Sequence, residues 1–219
     1  MLVLAIDTST PDLVVGVVDP AAGTLHEQII PDTRRHNELL TPTVQQVLAG
    51  AGKTFADLDA VVVGCGPGPF TGLRVGMASA AAFGDALGIP VHGVCSLDAI
   101  AQRVPADTVL VATDARRREV YWATYHNLTR TEGPNVQAPG TLTPSHPVAV
   151  VVVPEHLAEQ LSELQHVEKR HLGPNAASLV EVADLSAQPQ PLEPLYLRRP
   201  DAKEPAPKPK SPAIPDVEL

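Results

Sequence analysis

Residues 64 to 76 read Gly-Cys-Gly-Pro-Gly-Pro-Phe-Thr-Gly-Leu-Arg-Val-Gly and separate two segments with different patterns. The apolar run Ala60 to Val63 precedes them and a proline-free stretch from Leu73 to Leu87 follows, which predicts strand, glycine-rich turn and helix. Glycines at such a turn allow close backbone approach, and the N–H groups of the helix start favour an anion or a partner's acidic side chain. The alternative is a tight turn that only lets the helix pack on the sheet. The run lacks the Gly-Lys-Ser/Thr of a Walker A loop.

Apolar runs predict strands on both sides of this turn, at 2–6, 13–18, 24–30, 90–94, 109–113, 120–125 and 148–153. A helical face is formed by Leu40, Val44, Val47 and Leu48. Pro42 is either the first helical residue or lies inside a longer helix from His36. Further helices are predicted to start at Ser96, Pro154 and Pro174, the second of them reaching Leu164 and the third Ala183.

The strand pattern repeats along the chain. Asp7 and Asp114 each end an apolar strand and are each followed by a short polar turn and a returning strand. This repeat predicts two lobes with one topology, whereas an ordinary single α/β domain is the alternative.

The composition limits the classes of function. The chain has 219 residues, a net charge of −9 and only 3% aromatic residues. It therefore lacks the broad basic face and the aromatic platform typical of nucleic-acid-binding proteins, although a local basic patch is not excluded. Cys65 and Cys95 follow apolar runs, which favours buried reduced thiols over a nucleophile or a disulfide.

Both ends of the sequence have a distinct composition. The apolar start runs directly into Asp7, which predicts a strand and not a signal peptide, and no apolar run is long enough to span a bilayer. We therefore expect a cytoplasmic protein that does not contact a membrane. Residues 200–219 hold six prolines, which predicts a disordered, partly polyproline tail. A docking motif in this tail is the less favoured interpretation.

Five segments in order resemble one family. The string GPGPFTGLRVG at 66–76 is similar to the signature of the TsaB family, also called YeaZ, of bacterial tRNA threonylcarbamoyladenosine synthesis. The other similar segments are 1–10, 34–36 with Pro42, 114–123 and 193–198. Pro69 stands where the family commonly has serine, and residues 129–191 carry no recognised motif.

The resemblance implies an α/β fold with two actin-like ATPase lobes, each built as β-β-β-α-β-α. The expected domains are an N-terminal lobe at 1–105 that carries the partner-binding helices, a C-terminal lobe at 106–199, and the tail at 200–219. Asp7 and Asp114 correspond to the aspartates that face the nucleotide in active members of this superfamily. Asp7, Thr8 and Ser9 are thus candidates for a weak nucleotide contact, unless they only close their own turn.

The resemblance also implies a function without catalysis. A catalytic relative, TsaD, carries two metal-binding histidines where this chain has Ser96 and Ile100, and neither residue replaces imidazole as a ligand. We expect no catalytic residue, metal or cofactor, and a subunit that supports a TsaD-like threonylcarbamoyltransferase. A TsaE-like ATPase is a further expected partner, tRNA is contacted only through the complex, and the chain alone forms a homodimer. An independent ATP-dependent transferase or peptidase is the alternative, and a homodimer with an unrelated structural role is a third possibility.

The predicted partner interface lies on two helices of the first lobe. Gly76, Ala80 and Gly84 repeat every four residues, a spacing that lets another helix approach closely. Packing of this stripe on its own sheet is the competing interpretation. Together with the family's pairing through these helices, the pattern predicts interface residues His36, Leu40, Val44, Val47, Thr71, Arg74, Val75, Gly76, Ala80 and Phe83.

Overall fold

The computed structural model describes residues 1–198, so the predicted tail at 200–219 lies outside the described residues. The first sheet starts with an antiparallel meander of β1 (Val3–Asp7), β2 (Leu13–Asp19) and β3 (Gly23–Ile30). β4 (Ala60–Gly64) and β5 (Val91–Val94) extend it in parallel, which gives the order β3-β2-β1-β4-β5. The central position of β1 places Asp7, at its carboxyl end, in the middle of this edge of the sheet.

The second sheet has the same topology. It contains β6 (Thr108–Asp114), β7 (Val120–His126), β8 (Thr129–Gln137), β9 (Val150–Val152) and β10 (Glu168–Arg170). Their order is β10-β9-β6-β7-β8, with β6 antiparallel to β7 and parallel to β9. The predicted repeat of one strand arrangement is therefore present, and Asp114 ends β6 as Asp7 ends β1.

Helices cover both faces of the first sheet. α1 (His36–Gly50) and α2 (Phe70–Leu87) pack on the face that carries Leu4 and Ile6 of β1. α3 (Ser96–Gln102) and α4 (Ala176–Glu181) supply Ala99 and Leu179 to the core of the opposite face, beside Val3 and Ala5. Because side chains alternate along β1, Leu4 and Ile6 lie in one apolar layer and Val3 and Ala5 lie in the other.

The structure decides between the alternatives for one helix and corrects the predictions for two others. α1 begins at His36 with Pro42 inside it, so the longer helix is the correct alternative. Residues 154–164 form no α-helix but two short 3-10 turns, Glu155–Gln160 and Ser162–Leu164. α4 is also shorter than predicted, beginning after Asn175, whose side chain accepts a hydrogen bond from Ser178 N.

The end of the described chain returns to the first sheet. Ala176 of α4 donates its backbone N–H to Glu27 of β3, and Leu195 N donates to Cys65 O at 2.9 Å. Residues inside the range expected for the second lobe therefore pack on the first. Across residues 1–198, no helix combines the length and apolar character needed to cross a membrane.

Candidate functional site

Asp7 at the end of β1 is completely buried and surrounded by donors. Its carboxylate accepts hydrogen bonds from Ser9 N and Ser9 Oγ, both at 2.7 Å, and from Ser96 Oγ at 2.5 Å. Gly64 is required opposite it, because a Cβ there would lie 1.9 Å from Asp7 Oδ2. Burial raises the pKa of the Asp7 carboxyl above its ordinary value, although the three hydrogen bonds and the nearby His36 oppose the shift.

The glycine-rich turn packs directly on the residues after Asp7. Thr8 Oγ1 donates to Gly72 O at 2.7 Å and accepts from Gly76 N at 3.1 Å. A Cβ at Gly76 would lie 2.3 Å from that hydroxyl, and one at Gly68 would lie 2.1 Å from Ser9 O. The glycines at these positions therefore permit close approach between the β1–β2 turn and the start of α2.

This packing leaves no cradle for a phosphate at the first turn. The hydroxyls of Thr8 and Ser9 are engaged inside the protein, and Gly68 covers the Ser9 carbonyl. Asp7, Thr8 and Ser9 are all buried. The geometry favours the interpretation in which these residues close their own turn, and they do not fit a nucleotide phosphate in this conformation.

The positions compared with metal-binding histidines serve the core. Ser96 is buried and donates to Asp7, while Ile100 lies in the apolar layer between α3 and the second sheet. Residues 1–198 contain no group of three or more His, Cys, Asp or Glu side chains arranged to hold a metal ion. Ser96 and Ile100 therefore both contribute to packing, Ser96 through its hydrogen bond and Ile100 through apolar contact.

The cysteines are free thiols within the fold. Burial raises the pKa of Cys65 to about 12 and that of Cys95 to about 11. Both therefore carry their proton at neutral pH, which disfavours a nucleophilic role.

The predicted partner-interface residues divide into two groups. Five of them are buried in the chain's own core: Leu40, Val44, Val47, Gly76 and Ala80. The small-residue stripe of α2 faces the sheet, since a Cβ at Gly84 would lie 2.2 Å from Val91 Cγ2. The stripe thus packs inside the lobe. His36, Val75 and Phe83 are half-buried, whereas Thr71 and Arg74 are exposed and available to a partner.

The opposite side of α2 is exposed and also consists mostly of small residues. We call this side the outer face of α2; it comprises Thr71, Arg74, Ala78, Ala82, Asp85 and Ala86. Its alanines present a shallow surface with little charge. Such a surface allows a second helix to approach closely without removing many charges from water.

A cleft of about 910 Å³ lies between the two lobes beside the start of α2. Its walls include Arg34 and Thr71 from the first lobe, Arg116 and Tyr121 from the second, and Tyr196 near the end of the described chain. At its rim, Phe70 and Tyr196 stack with ring centroids 5.4 Å apart, and the Arg74 guanidinium lies 4.8 Å from the Phe70 centroid.

The sequence predicted two lobes but not which residues form most of the walls of this cleft. Its walls combine residues from both ends of the chain, and the arginines at 116–118 have the pattern of a solvated hairpin turn. All three of these arginines have positive φ, between 56° and 62°. Glu119 pairs with Arg198, whose Nη1 also donates to Ala115 O at 3.2 Å. The advance signals were the predicted pair of lobes and Asp114, which lines the cleft.

The sequence is similar to one family model and to several known proteins. Residues 24–188 match the family model described as TsaD, tRNA N6-adenosine threonylcarbamoyltransferase. An uncharacterized protein of Mycobacterium tuberculosis is 57% identical over 92% of this chain and 93% of its own. The tRNA threonylcarbamoyladenosine biosynthesis protein TsaB of Escherichia coli is 37% identical over 57% of this chain and 55% of its own.

A solved structure supports the fold. A Pseudomonas aeruginosa protein, described as uncharacterized with similarity to peptidase YEAZ, superposes with a TM-score of 0.71 and 26% identity. The match covers 88% of this chain and 99% of that one. With the repeated strand order, this likeness confirms the predicted two-lobe actin-like ATPase fold.

Proposed function

The chain belongs to the TsaB family, within the wider TsaD family, and on this premise we propose that it is a non-catalytic partner subunit in tRNA threonylcarbamoyladenosine modification. It supports a TsaD-like threonylcarbamoyltransferase that modifies the adenosine beside the anticodon. A TsaE-like ATPase is a further partner, and the complex works in the cytoplasm. Free chain associates with a second copy of itself.

The observation that carries this proposal is the closed arrangement around Asp7. The carboxylate that corresponds to a nucleotide-facing group is buried and takes its hydrogen bonds from Ser9 and Ser96. Gly68 and Gly76 bring the start of α2 against the turn where phosphates would need backbone donors. A chain built this way retains the framework of an ATPase lobe but uses it for packing.

The outer face of α2 supports a role in assembly. It adjoins the cleft through Thr71, and its exposed alanines contrast with the glycines that fix the inner face to the sheet. We propose that the TsaD-like subunit contacts this face together with the half-buried His36 and Val75. The same face serves the homodimer, so the two associations compete.

Reconstitution with purified components tests the proposal. Transfer of the threonylcarbamoyl group to tRNA is measured with the chain alone, with the TsaD-like subunit alone and with both, in the presence of magnesium and threonylcarbamoyl-adenylate. We expect transfer to depend on the TsaD-like subunit and to increase when the chain is added. Transfer by the chain alone would overturn the proposal and favour the independent enzyme.

A single variant distinguishes a supporting role of the chain from direct participation in the transfer reaction. Asp7→Asn removes the one buried carboxylate at the first turn, and its folding is checked by thermal melting. We expect folded Asp7→Asn chain to support the TsaD-like subunit as well as the unchanged chain does. Loss of transfer with intact folding and intact complex formation would instead indicate that Asp7 takes part in the reaction.

A further inference from the structure

The interlobe cleft is locally basic in an acidic protein. The whole chain carries −9, but the charged residues along the cleft are four arginines, His36 and two aspartates. The aspartates are Asp32 and Asp114, and Asp114 already accepts a hydrogen bond from Arg116 N at 2.6 Å. The cleft therefore favours an anionic ligand although the chain as a whole is acidic.

Two of these arginines are available to a ligand. Arg198 is engaged by Glu119 and the Ala115 carbonyl. In contrast, the guanidinium groups of Arg34 and Arg116 are exposed and make no ion pair within residues 1–198. Arg34 belongs to the first lobe and Arg116 to the second, so they face the cleft from opposite sides.

The cleft that holds these cations is also lined by exposed aromatic residues. Phe70 is 57% exposed and Tyr196 is 44% exposed, and the two stacked rings lie along the cleft. An exposed aromatic ring in a cleft that also holds unpaired arginines is a combination that binds single-stranded nucleic acid, since the ring stacks on a base and the guanidinium groups bind phosphates. Tyr196 provides this ring, because Phe70 already contacts both Tyr196 and the Arg74 guanidinium. A small inorganic anion has no aromatic base that could stack on such a ring.

We propose that the cleft and its aromatic rim contact single-stranded RNA, with Arg34 and Arg116 each binding a backbone phosphate. This inference rests on the proposed function, in which the substrate of the assembled complex is tRNA. Only two cations contribute phosphate contacts, so the chain alone binds RNA weakly and the surface contributes mainly within the complex.

The test compares a double neutralising variant, with one substitution in each lobe, with a single control substitution. Arg116→Gln, combined with Arg34→Gln, removes both proposed phosphate contacts. Arg118→Gln is the matched control, because Arg118 is exposed in the same positive-φ turn but does not line the cleft. Binding of a labelled anticodon stem-loop RNA is measured over a range of salt concentrations, with the assembled complex and also with the chain alone at low salt.

We expect the double variant to bind RNA about tenfold more weakly. The slope of the logarithm of its RNA association constant against the logarithm of salt concentration should become shallower by about 1.4, or about 0.7 for each lost contact. Arg118→Gln should change neither quantity. Tyr196→Ala should weaken binding by about fivefold or more at an unchanged salt slope, because stacking involves no counterion release.

Three results would overturn the inference. RNA affinity and salt slope could be unchanged in the double variant. The double variant could fail to join the TsaD-like subunit, which would make the cleft a protein interface. Finally, the isolated double variant could lose binding of free ATP while its RNA binding stays intact, which would make the cleft a nucleotide site. Failure of the unchanged chain to form a complex would count against the proposed function instead, and the isolated-chain measurements would still decide the RNA contact.

Discussion

At the scale of single residues, Asp7 shows how burial and hydrogen bonding compete. Its folded pKa is raised above the ordinary value of 3.8, mainly by desolvation, so the folded state holds this proton more tightly than the unfolded state. The Asp7 contribution to stability is therefore most favourable below pH 3.8 and declines as the pH rises through the folded pKa. His36 and the Cys65 thiol are the titratable groups coupled to it.

Asp7→Asn should remove this pH dependence. We expect the free energy of unfolding of the variant, relative to the unchanged chain, to increase as the pH is raised from 3.8 toward neutrality. Denaturant titrations at several pH values measure the difference. A difference that stays constant, or that decreases with pH, would mean that the three donors keep the carboxylate charged at little cost.

Gly76 offers a second residue-scale test. Alanine normally favours a helix over glycine by about 1 kcal/mol, but here its Cβ would lie 2.3 Å from Thr8 Oγ1. We expect Gly76→Ala to lower the free energy of unfolding by about 1–3 kcal/mol. Gly50→Ala is the control, because its Cβ would meet only the exposed His26 ring, which can turn away.

A double mutant then isolates the cause. Thr8→Ala removes the hydroxyl that Gly76→Ala would contact, so it should cost less in the Gly76→Ala background than in the unchanged chain. Strictly additive losses would show that the hydroxyl is not the obstacle.

At the scale of elements, sequence patterns predicted burial better than conformation. Apolar runs predicted eight of the ten described strands, because alternating or continuous apolar residues must be covered. β8 and β10 were not predicted, since their residues are mostly polar and little buried. Leu157, Leu161 and Leu164 have helical spacing and are all buried, yet their backbone forms 3-10 turns. The spacing indicates which side chains face the core. Two short 3-10 turns can bury those side chains as well as one α-helix can.

The orientation of α2 was beyond prediction for a related reason. Small residues occur on both sides of this helix, with glycines and Ala80 on the inner side and further alanines on the outer side, so small size alone does not identify the face that meets the sheet. The deciding contacts come from Thr8 and Val91, which lie on other elements. The cleft likewise depends on Phe70 and Tyr196, which only the folded chain brings together.

The outer face of α2 gives the element-scale prediction. Ala82→Arg should weaken association with the TsaD-like subunit, and with a second copy, by at least about tenfold, because it buries an unpaired charge at the contact. Its melting temperature should stay within about 2 °C, since arginine is a good helix former and Ala82 is exposed. Ala138→Arg, at an exposed position in the second lobe, is the control.

Ala80→Trp has the opposite expectation. Ala80 is fully buried, so an indole there should unfold the protein and not merely separate subunits. Sizing chromatography and thermal melts distinguish the two behaviours. Ala82→Arg chain that associates normally would remove the outer face of α2 from the interface.

At the scale of the whole molecule, polar contacts join the lobes beside the apolar layer between α3 and the second sheet. Tyr125 OH of β7 donates to Asp98 of α3 at 2.8 Å, and Arg130 of β8 pairs with the same carboxylate at 3.2 Å. Near the end of the described chain, Leu195 bonds Cys65 of the first lobe while Arg198 reaches Glu119 of the second. We propose that the chain passes from the first lobe to the second between residues 105 and 106. The segment that contains Leu195 and Arg198, the closing segment, then contacts both lobes and holds them together.

Two truncations test the role of the closing segment. A chain that ends at residue 199 lacks only the proline-rich tail, and we expect its melting temperature and complex formation to match those of the full chain. A chain that ends at residue 191 also loses Leu192, which packs on the first core, the Leu195 hydrogen bond and the Arg198 contacts. These interactions together contribute about 2–3 kcal/mol, so its melting temperature should fall by about 5–10 °C. Equal melting temperatures for both truncations would show that the closing segment is dispensable, and loss of complex formation at residue 199 would show that the tail docks on a partner.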